Sequence, residues 1–320
     1  MSFITILIPV FNEEENLHEL NVQITNTMKN TKEKYEILYV NDGSKDNSMD
    51  IIKQLQKKDR RIAYIDLSRN YGKEVAMAAG FDHARGDAVI ILDADLQDPP
   101  ELIPIMISEW KNGGYDDVYA KRISRKGESF MKKSTSWIFY RVLEKFTKVP
   151  IQRDTGDFRL LSRKAHEALR QLRENCRYTK GLISLVGFKK KAIEFERQPR
   201  FAGKTKWNYI KLLGLAIEGI TSFSIMPLRF STIFGFIISI TAFIYLVIIV
   251  LKTLLFQDPV KGYPSLMSII LFMGGIQFII LGIIGEYLGR IFYETKKRPL
   301  YFVNEYYAGD HKNKKRISAH

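Results

Sequence analysis

Two carboxylates one residue apart, Asp93 and Asp95, stand directly after the apolar run Val89, Ile90, Ile91, Leu92 and open the stretch Asp93-Ala94-Asp95-Leu96-Gln97-Asp98-Pro99-Pro100. Carboxylates spaced this way at a strand end can hold a hard divalent cation, and the cation can bridge the oxygens of a diphosphate. Oxygen ligands alone favour Mg2+ or Mn2+. An acidic pair is also a common solvated turn, so its weight here comes from its place behind a buried strand. Asp42, in Val40-Asn41-Asp42-Gly43-Ser44, likewise follows a strand and can accept a hydrogen bond from a base edge, although Asn-Asp-Gly-Ser is also good turn chemistry. Asn12 and Glu13 follow a third apolar run, and read equally as a helix N-terminal cap with its acids favoured by the helix dipole.

The elements that must position these groups are legible as alternation. Strands are predicted over Ile4 to Val10, Tyr35 to Val40, Ile62 to Leu67, Ala88 to Leu92 and Asp117 to Ala120. Helices are predicted between them, over Glu14 to Met28, Ser48 to Lys57, Gly72 to Ala84 and Pro100 to Trp110. Strands alternating with helices imply βαβ crossovers and an α/β fold with a Rossmann-like, mainly parallel sheet covered on both faces. Ligands of such sheets bind outside the carboxyl ends of the strands. The polar clusters sit at those ends, which predicts a nucleotide site.

Composition bounds the rest. With 320 residues, 46% of them hydrophobic and 26% charged, the chain is neither disordered nor collagenous, and its single Cys176 can form no internal disulfide. Phe230 to Leu251 is a run of 22 residues without a charge, and Gly262 to Gly285 another of 24. About 20 such residues cross a hydrocarbon core as a helix, so two transmembrane helices are predicted rather than two buried core helices. The early acids Glu13, Glu14 and Glu15 speak against a cleaved signal peptide. Eight basic residues follow the second run while two lysines lie between the runs, so the positive-inside rule places residues 1–229 and the basic tail, 290–320, in the cytoplasm. The net charge of +14 suits an anionic membrane surface, and no zinc spacing, helix-turn-helix or aromatic RNA-binding strand points to nucleic acid. Basic, aromatic-rich segments at about 130–147 and 207–226 read as amphipathic interface helices, or as ordinary helices packed on the sheet. The resulting division is a catalytic domain over 1–229, a two-helix membrane domain over 230–289, and the tail.

Five ordered motifs carry a resemblance. Ile8-Pro9-Val10-Phe11-Asn12-Glu13-Glu14, Asn41-Asp42-Gly43-Ser44, Ser68-Arg69-Asn70-Tyr71-Gly72-Lys73, the Asp93 to Glu101 stretch and Thr155-Gly156-Asp157-Phe158-Arg159-Leu160 resemble the family-2, GT-A fold glycosyltransferases. The branch resembled is that of polyprenyl-phosphate sugar transferases, including dolichyl-phosphate mannose synthase. Gly285-Glu286-Tyr287-Leu288-Gly289-Arg290 is similar to the bacterial two-span undecaprenyl-phosphate members. The resemblance implies that Pro9, Val10, Glu13 and Asp42 contact the nucleoside and that Asp93, Asp95 and Gln97 meet the metal and diphosphate. It also implies that Arg122, Arg125, Lys132 and Ser136 bind the acceptor phosphate, and that Arg200, Gly203, Thr205 and Lys206 close over the diphosphate. Asp157 matches an acidic position near the reacting centre, while a salt bridge to Arg159 or Arg153 is its plainer alternative.

The function that the resemblance implies is inverting transfer of a sugar, UDP-glucose first and UDP-N-acetylglucosamine second, to undecaprenyl phosphate at the cytoplasmic face of the plasma membrane. The implied partners are the nucleotide sugar, the polyprenyl phosphate, the bilayer and a downstream flippase, with a homo-oligomer left open. Two other readings stand beside it: a processive or protein-directed family-2 transferase, which the missing Gln-x-x-Arg-Trp motif disfavours, and a catalytically dead nucleotide-binding scaffold, which the intact acids disfavour.

Overall fold

The computed structural model describes residues 1–123, 155–175, 177–195, 224–256 and 262–309. In chain order they form β1 (Phe3–Val10), α1 (Leu17–Lys29), β2 (Lys34–Asn41), α2 (Ser48–Lys58), β3 (Ile62–Leu67), α3 (Lys73–His83), β4 (Ala88–Ile91), a 3-10 turn (Pro100–Leu102) and α4 (Ile103–Gly113). Then come β5 (Asp117–Arg122), β6 (Thr155–Ser162), α5 (Arg163–Gln171), α6 (Thr179–Val186), β7 (Lys190–Phe195), α7 (Met226–Phe256), α8 (Tyr263–Thr295) and β8 (Val303–Tyr307).

Strands covered on both faces must be apolar on both, which is why β1 is rich in Ile and Leu on its two sides. Ile4, Ile6 and Ile8 join one core with Leu17, Leu20 and Ile24 of α1, Ile52 of α2 and Ile103 of α4. Leu7, one step out of that alternation, faces α3 instead, and α3 comes so near that a Cβ on Gly80 would overlap the Leu7 side chain. The strand order is β7-β5-β6-β4-β1-β2-β3-β8. β1 is parallel to both β2 and β4, β2 to β3, and β5 to β7. β6 runs antiparallel between β4 and β5, and β8 antiparallel on β3. The chain steps outward from β1 to β3, then returns to place β4 on the other side of β1. That reversal opens a crevice outside the carboxyl ends of β1 and β4, where sheets of this kind bind ligands.

The elements expected up to Ala120 are present. α1 starts at Leu17 instead of Glu14, and Pro100 opens a 3-10 turn ahead of α4 in place of one continuous helix. The reading of 290–320 as a basic tail gives way at both its start and its middle. Residues 290–295 continue α8, and Val303–Tyr307 is a strand of the sheet. Its side chains explain the docking: Glu305 accepts a hydrogen bond from Tyr64 Oη at 2.6 Å and pairs with Lys53 at 2.6 Å, while Tyr307 stacks on Tyr64 at 5.8 Å. Asn304 donates to Asp66 at 2.8 Å.

The described residues group into two compact units, one holding the sheet with β8 and one holding α7 and α8. Within the second, Phe236, Phe272 and Phe278 are each about two-thirds or more exposed, an arrangement suited to lipid and costly in water. Met226–Ile249 and Leu266–Thr295 are long and apolar enough to cross a membrane. α8 runs straight through Gly285 to Arg290, where Glu286 and Arg290 pair one turn apart at 3.1 Å. The segments at 130–147 and 207–223 lie outside the described residues.

Candidate active site

The crevice holds a cavity of about 320 Å3 whose walls include Pro9, Val10 and Glu13 from the end of β1, Asp42 from the end of β2, and Asp93 and Asp95 from the end of β4. Six of the residues proposed from sequence thus share one cavity. Phe11, Asn70, Gly72, Lys73 and Ala76 complete much of its wall and had no role assigned from sequence.

Loop–loop hydrogen bonds fix the β1 side. Asn12 N–H donates to Ser44 Oγ at 3.0 Å and Asn12 Oδ1 accepts from Lys45 N–H at 2.8 Å. Glu14 accepts from both the backbone and the side chain of Asn47, and Glu13 N–H donates to Ser48 Oγ. These residues therefore do not cap α1, as the sequence allowed; they clamp the loop after β1 to the loop after β2. Asn12 takes a left-handed φ of 55°, which Asn tolerates better than most residues.

Asp42 is buried and uses both carboxylate oxygens, Oδ1 accepting from Tyr71 N–H at 2.7 Å and Oδ2 from Gly72 N–H at 2.9 Å. Burial raises its pKa and the two N–H groups only partly oppose that. Asp42 thus anchors the loop between β3 and α3, and each oxygen keeps a lone pair for a further donor. Gly43 beside it has φ +64°, and a Cβ there would lie 2.5 Å from the Arg69 carbonyl carbon, so only glycine lets the two loops meet.

The acids after β4 meet a cation that sequence reasoning passed over. Lys73, the first residue of α3, places Nζ 2.6 Å from Asp93 Oδ1 and 2.8 Å from Oδ2, and also donates to Asp157 Oδ2 on β6. Lys180 Nζ lies 3.7 Å from Asp157 Oδ1 and donates to the Thr155 carbonyl at 3.0 Å. Burial would raise the Asp157 pKa, but the charges of Lys73 and Lys180 outweigh it and hold the carboxyl well below the usual range. Burial also opposes the Lys73 charge, and Asp93 and Asp157 more than offset it. Arg159 is not the partner of Asp157: it is buried against Asp117 at 3.2 Å on the neighbouring strand. The signals for Lys73 were its place at the end of the Ser68-to-Lys73 motif and behind Gly72, whose φ of 95° starts α3 at the crevice.

Gln97 is not in the cavity wall. Its backbone N–H donates to Asp95 Oδ1 at 3.2 Å, and its buried Oε1 has no hydrogen-bond partner among the described residues. Leu96 between them sits at φ 57°, a strained conformation for a bulky residue that turns the acidic loop sharply. Carboxylates on the cavity and an unused amide oxygen behind them form an oxygen donor set that fits a hard divalent cation. Among the described residues no three acidic, His or Cys side chains cluster closely enough to hold a metal alone, so phosphate oxygens would have to complete the coordination. Arg122, at the end of β5, lies 3.9 Å from Asp98 Oδ1, and Gly156 leaves it room, since a Cβ there would sit 3.2 Å from Arg122 Nη2. Arg125, Lys132, Ser136, Arg200 and Lys206 lie outside the described residues.

A crevice at the switch point of a mainly parallel sheet, walled by paired acids, is where a sheet of this kind can take a nucleotide together with a divalent cation. Residues 5–170 match the model described as Glycosyl transferase family 2, and the chain belongs to that family, with its GT-A fold and glycosyltransferase activity. Residues 226–291, comprising α7 and most of α8, match the GtrB C-terminal hairpin. An uncharacterized glycosyltransferase of Synechocystis sp. is 48% identical over 302 residues, covering 94% of this chain and 95% of its own. The bactoprenol glucosyl transferase of Shigella phage SfII is 42% identical over 307 residues, covering 96% and 99%. Among solved structures, glucosyl-3-phosphoglycerate synthase from Mycobacterium tuberculosis in complex with Mn2+, UDP-glucose and phosphoglyceric acid superposes with a TM-score of 0.48 at 16% identity, covering 69% and 78%.

Proposed function

We propose that the protein transfers glucose, with inversion, from UDP-glucose to undecaprenyl phosphate at the cytoplasmic face of the plasma membrane. The product would be a lipid-linked sugar for modification of cell-envelope glycans, moved onward by a flippase. The observation that carries this reading is the meeting of Glu13, Asp42, Asp93 and Asp95 in one cavity of a chain that aligns over 96% of its length with a bactoprenol glucosyl transferase.

The chemistry needs little from a base. A lipid phosphate is already an anion near neutral pH, so its oxygen can attack the anomeric carbon directly while the carbon–oxygen bond to the donor diphosphate breaks. The electron pair leaves with the nucleoside diphosphate, and no proton has to move. The obstacle is repulsion between the anionic acceptor and the anionic donor. Mg2+ or Mn2+, held by Asp93 and Asp95 with Gln97 as a further oxygen donor, would supply charge stabilisation for the leaving diphosphate. Arg122 and the basic residues Arg125 and Lys132 would receive the acceptor phosphate with Ser136, and Arg200 and Lys206 would close on the diphosphate. Asp157, already paired with two lysines, is suited to orienting charge or a sugar hydroxyl and poorly suited to taking a proton. Pro9 and Val10 would wall the nucleoside, with Asp42 toward the base.

Purified full-length protein in lipid nanodiscs, given undecaprenyl phosphate and radiolabelled UDP-glucose or UDP-N-acetylglucosamine, tests this. Label should pass into the lipid from UDP-glucose at least about tenfold faster than from the second donor. Faster transfer from UDP-N-acetylglucosamine would reassign the sugar; label in no lipid would remove the acceptor.

A further inference from the structure

Among the described residues the cavity wall carries four carboxylates, Glu13, Asp42, Asp93 and Asp95, and a single ammonium, that of Lys73. Asp42 is held by backbone N–H groups, so the charge of Lys73 falls on the acids beyond β4 and β6. The two acids it joins are not equally dependent on it. Asp157 has Lys180 as a second cation, whereas Lys73 is the one ion-pair partner of Asp93 among the described residues. Both oxygens of Asp93 lie within 2.8 Å of the same Nζ, where a divalent ion on Asp93 would also have to sit.

Resting on the reading of Asp93 and Asp95 as the metal carboxylates, we infer that Lys73 is a displaceable counter-cation, which keeps the metal out of the empty site and admits it only together with a diphosphate. An ion arriving alone must take Asp93 from an ammonium that already neutralises it, and the displaced ammonium is left with Asp157 alone, an acid it already shares with Lys180. A diphosphate provides a new anion. The Lys73 side chain is 41% exposed and sits on a flexible four-carbon stem, so it can swing from Asp93 to an incoming phosphate without repacking the core. Metal and nucleotide binding are thereby coupled, and by linkage each strengthens the other by the same factor.

The test reads Mn2+ binding to the full-length protein by electron paramagnetic resonance, with and without UDP, and needs no turnover. In the wild type, Mn2+ should bind weakly alone and at least about fivefold more tightly with UDP, within the usual range of coupling between sites. Lys73→Met should tighten Mn2+ binding in the absence of UDP by a similar factor and shrink the enhancement by UDP. Lys73→Arg, which keeps the charge, should behave as the wild type, and unchanged melting temperatures would show that both variants fold. Unchanged or weaker Mn2+ binding by Lys73→Met without UDP, or a full UDP enhancement in that variant, would overturn the inference. If the wild type binds no Mn2+ even with UDP, the metal assignment itself fails, and the inference falls with it.

Discussion

Asp95 is the residue on which the metal reading turns. It lines the cavity, and its Oδ1 is held by the Gln97 N–H at 3.2 Å, so its carboxylate is placed before any ligand arrives. Asp95→Ala should lower sugar transfer by about 100-fold or more, the usual cost of removing one preorganised charge contact at a transition state, while leaving the melting temperature within a few degrees. Transfer within threefold of wild type at limiting Mn2+ would refute the assignment. Glu13, Asp42, Asp93 and Asp95 could be singled out in the sequence because each lies just after an apolar run at a strand end, whereas Asp157, inside β6, was pointed to only by the resemblance. Lys73 was not, because its meaning depends on Asp93, 20 residues on, and Asp157, 84 residues on, being brought to one point by β4 and β6. Asp42 was legible as a residue of the crevice but not as the anchor of the loop between β3 and α3, since nothing local in Asn-Asp-Gly-Ser announces Tyr71 and Gly72.

At the scale of elements, β1 to β4 and α1 to α4 could be read from alternation and turn chemistry alone. The antiparallel insertion of β6 between β4 and β5 could not, because periodicity fixes a strand and not its direction or neighbour. α5 carries a further consequence. Its His166 is buried against the sheet, and burial holds the imidazole below its ordinary value. The native state then binds fewer protons than the unfolded chain once pH falls below about 6.5, so this residue's contribution is intact above that value and is lost as pH falls toward the lower native pKa. His166→Leu, similar in volume, should therefore flatten the fall in melting temperature between pH 7 and 5.5. Parallel melting curves for the two proteins across that range would show that the imidazole titrates alike in the folded and unfolded states.

For the molecule as a whole, the two apolar helices and the basic residues around them set the expected topology. In a Cys176→Ser background, a Cys placed at Gln257 should react with an impermeant maleimide on intact cells, and one at Asn313 only after permeabilisation. The reverse pattern would put the cavity on the side without nucleotide sugars and would end the cytoplasmic reading. The helices were legible from length and absence of charge, whereas β8 was hidden by its basic surroundings and by an exposed edge position that demands little apolarity. β8 also bears on how the protein is made. It is synthesised after both hydrophobic helices, yet it closes the edge of a sheet begun at Phe3. A nascent chain therefore carries an uncovered β3 until both of these helices have been made, and an open edge is a template for pairing with other chains. A chain cut short between α8 and β8 would therefore keep that edge open.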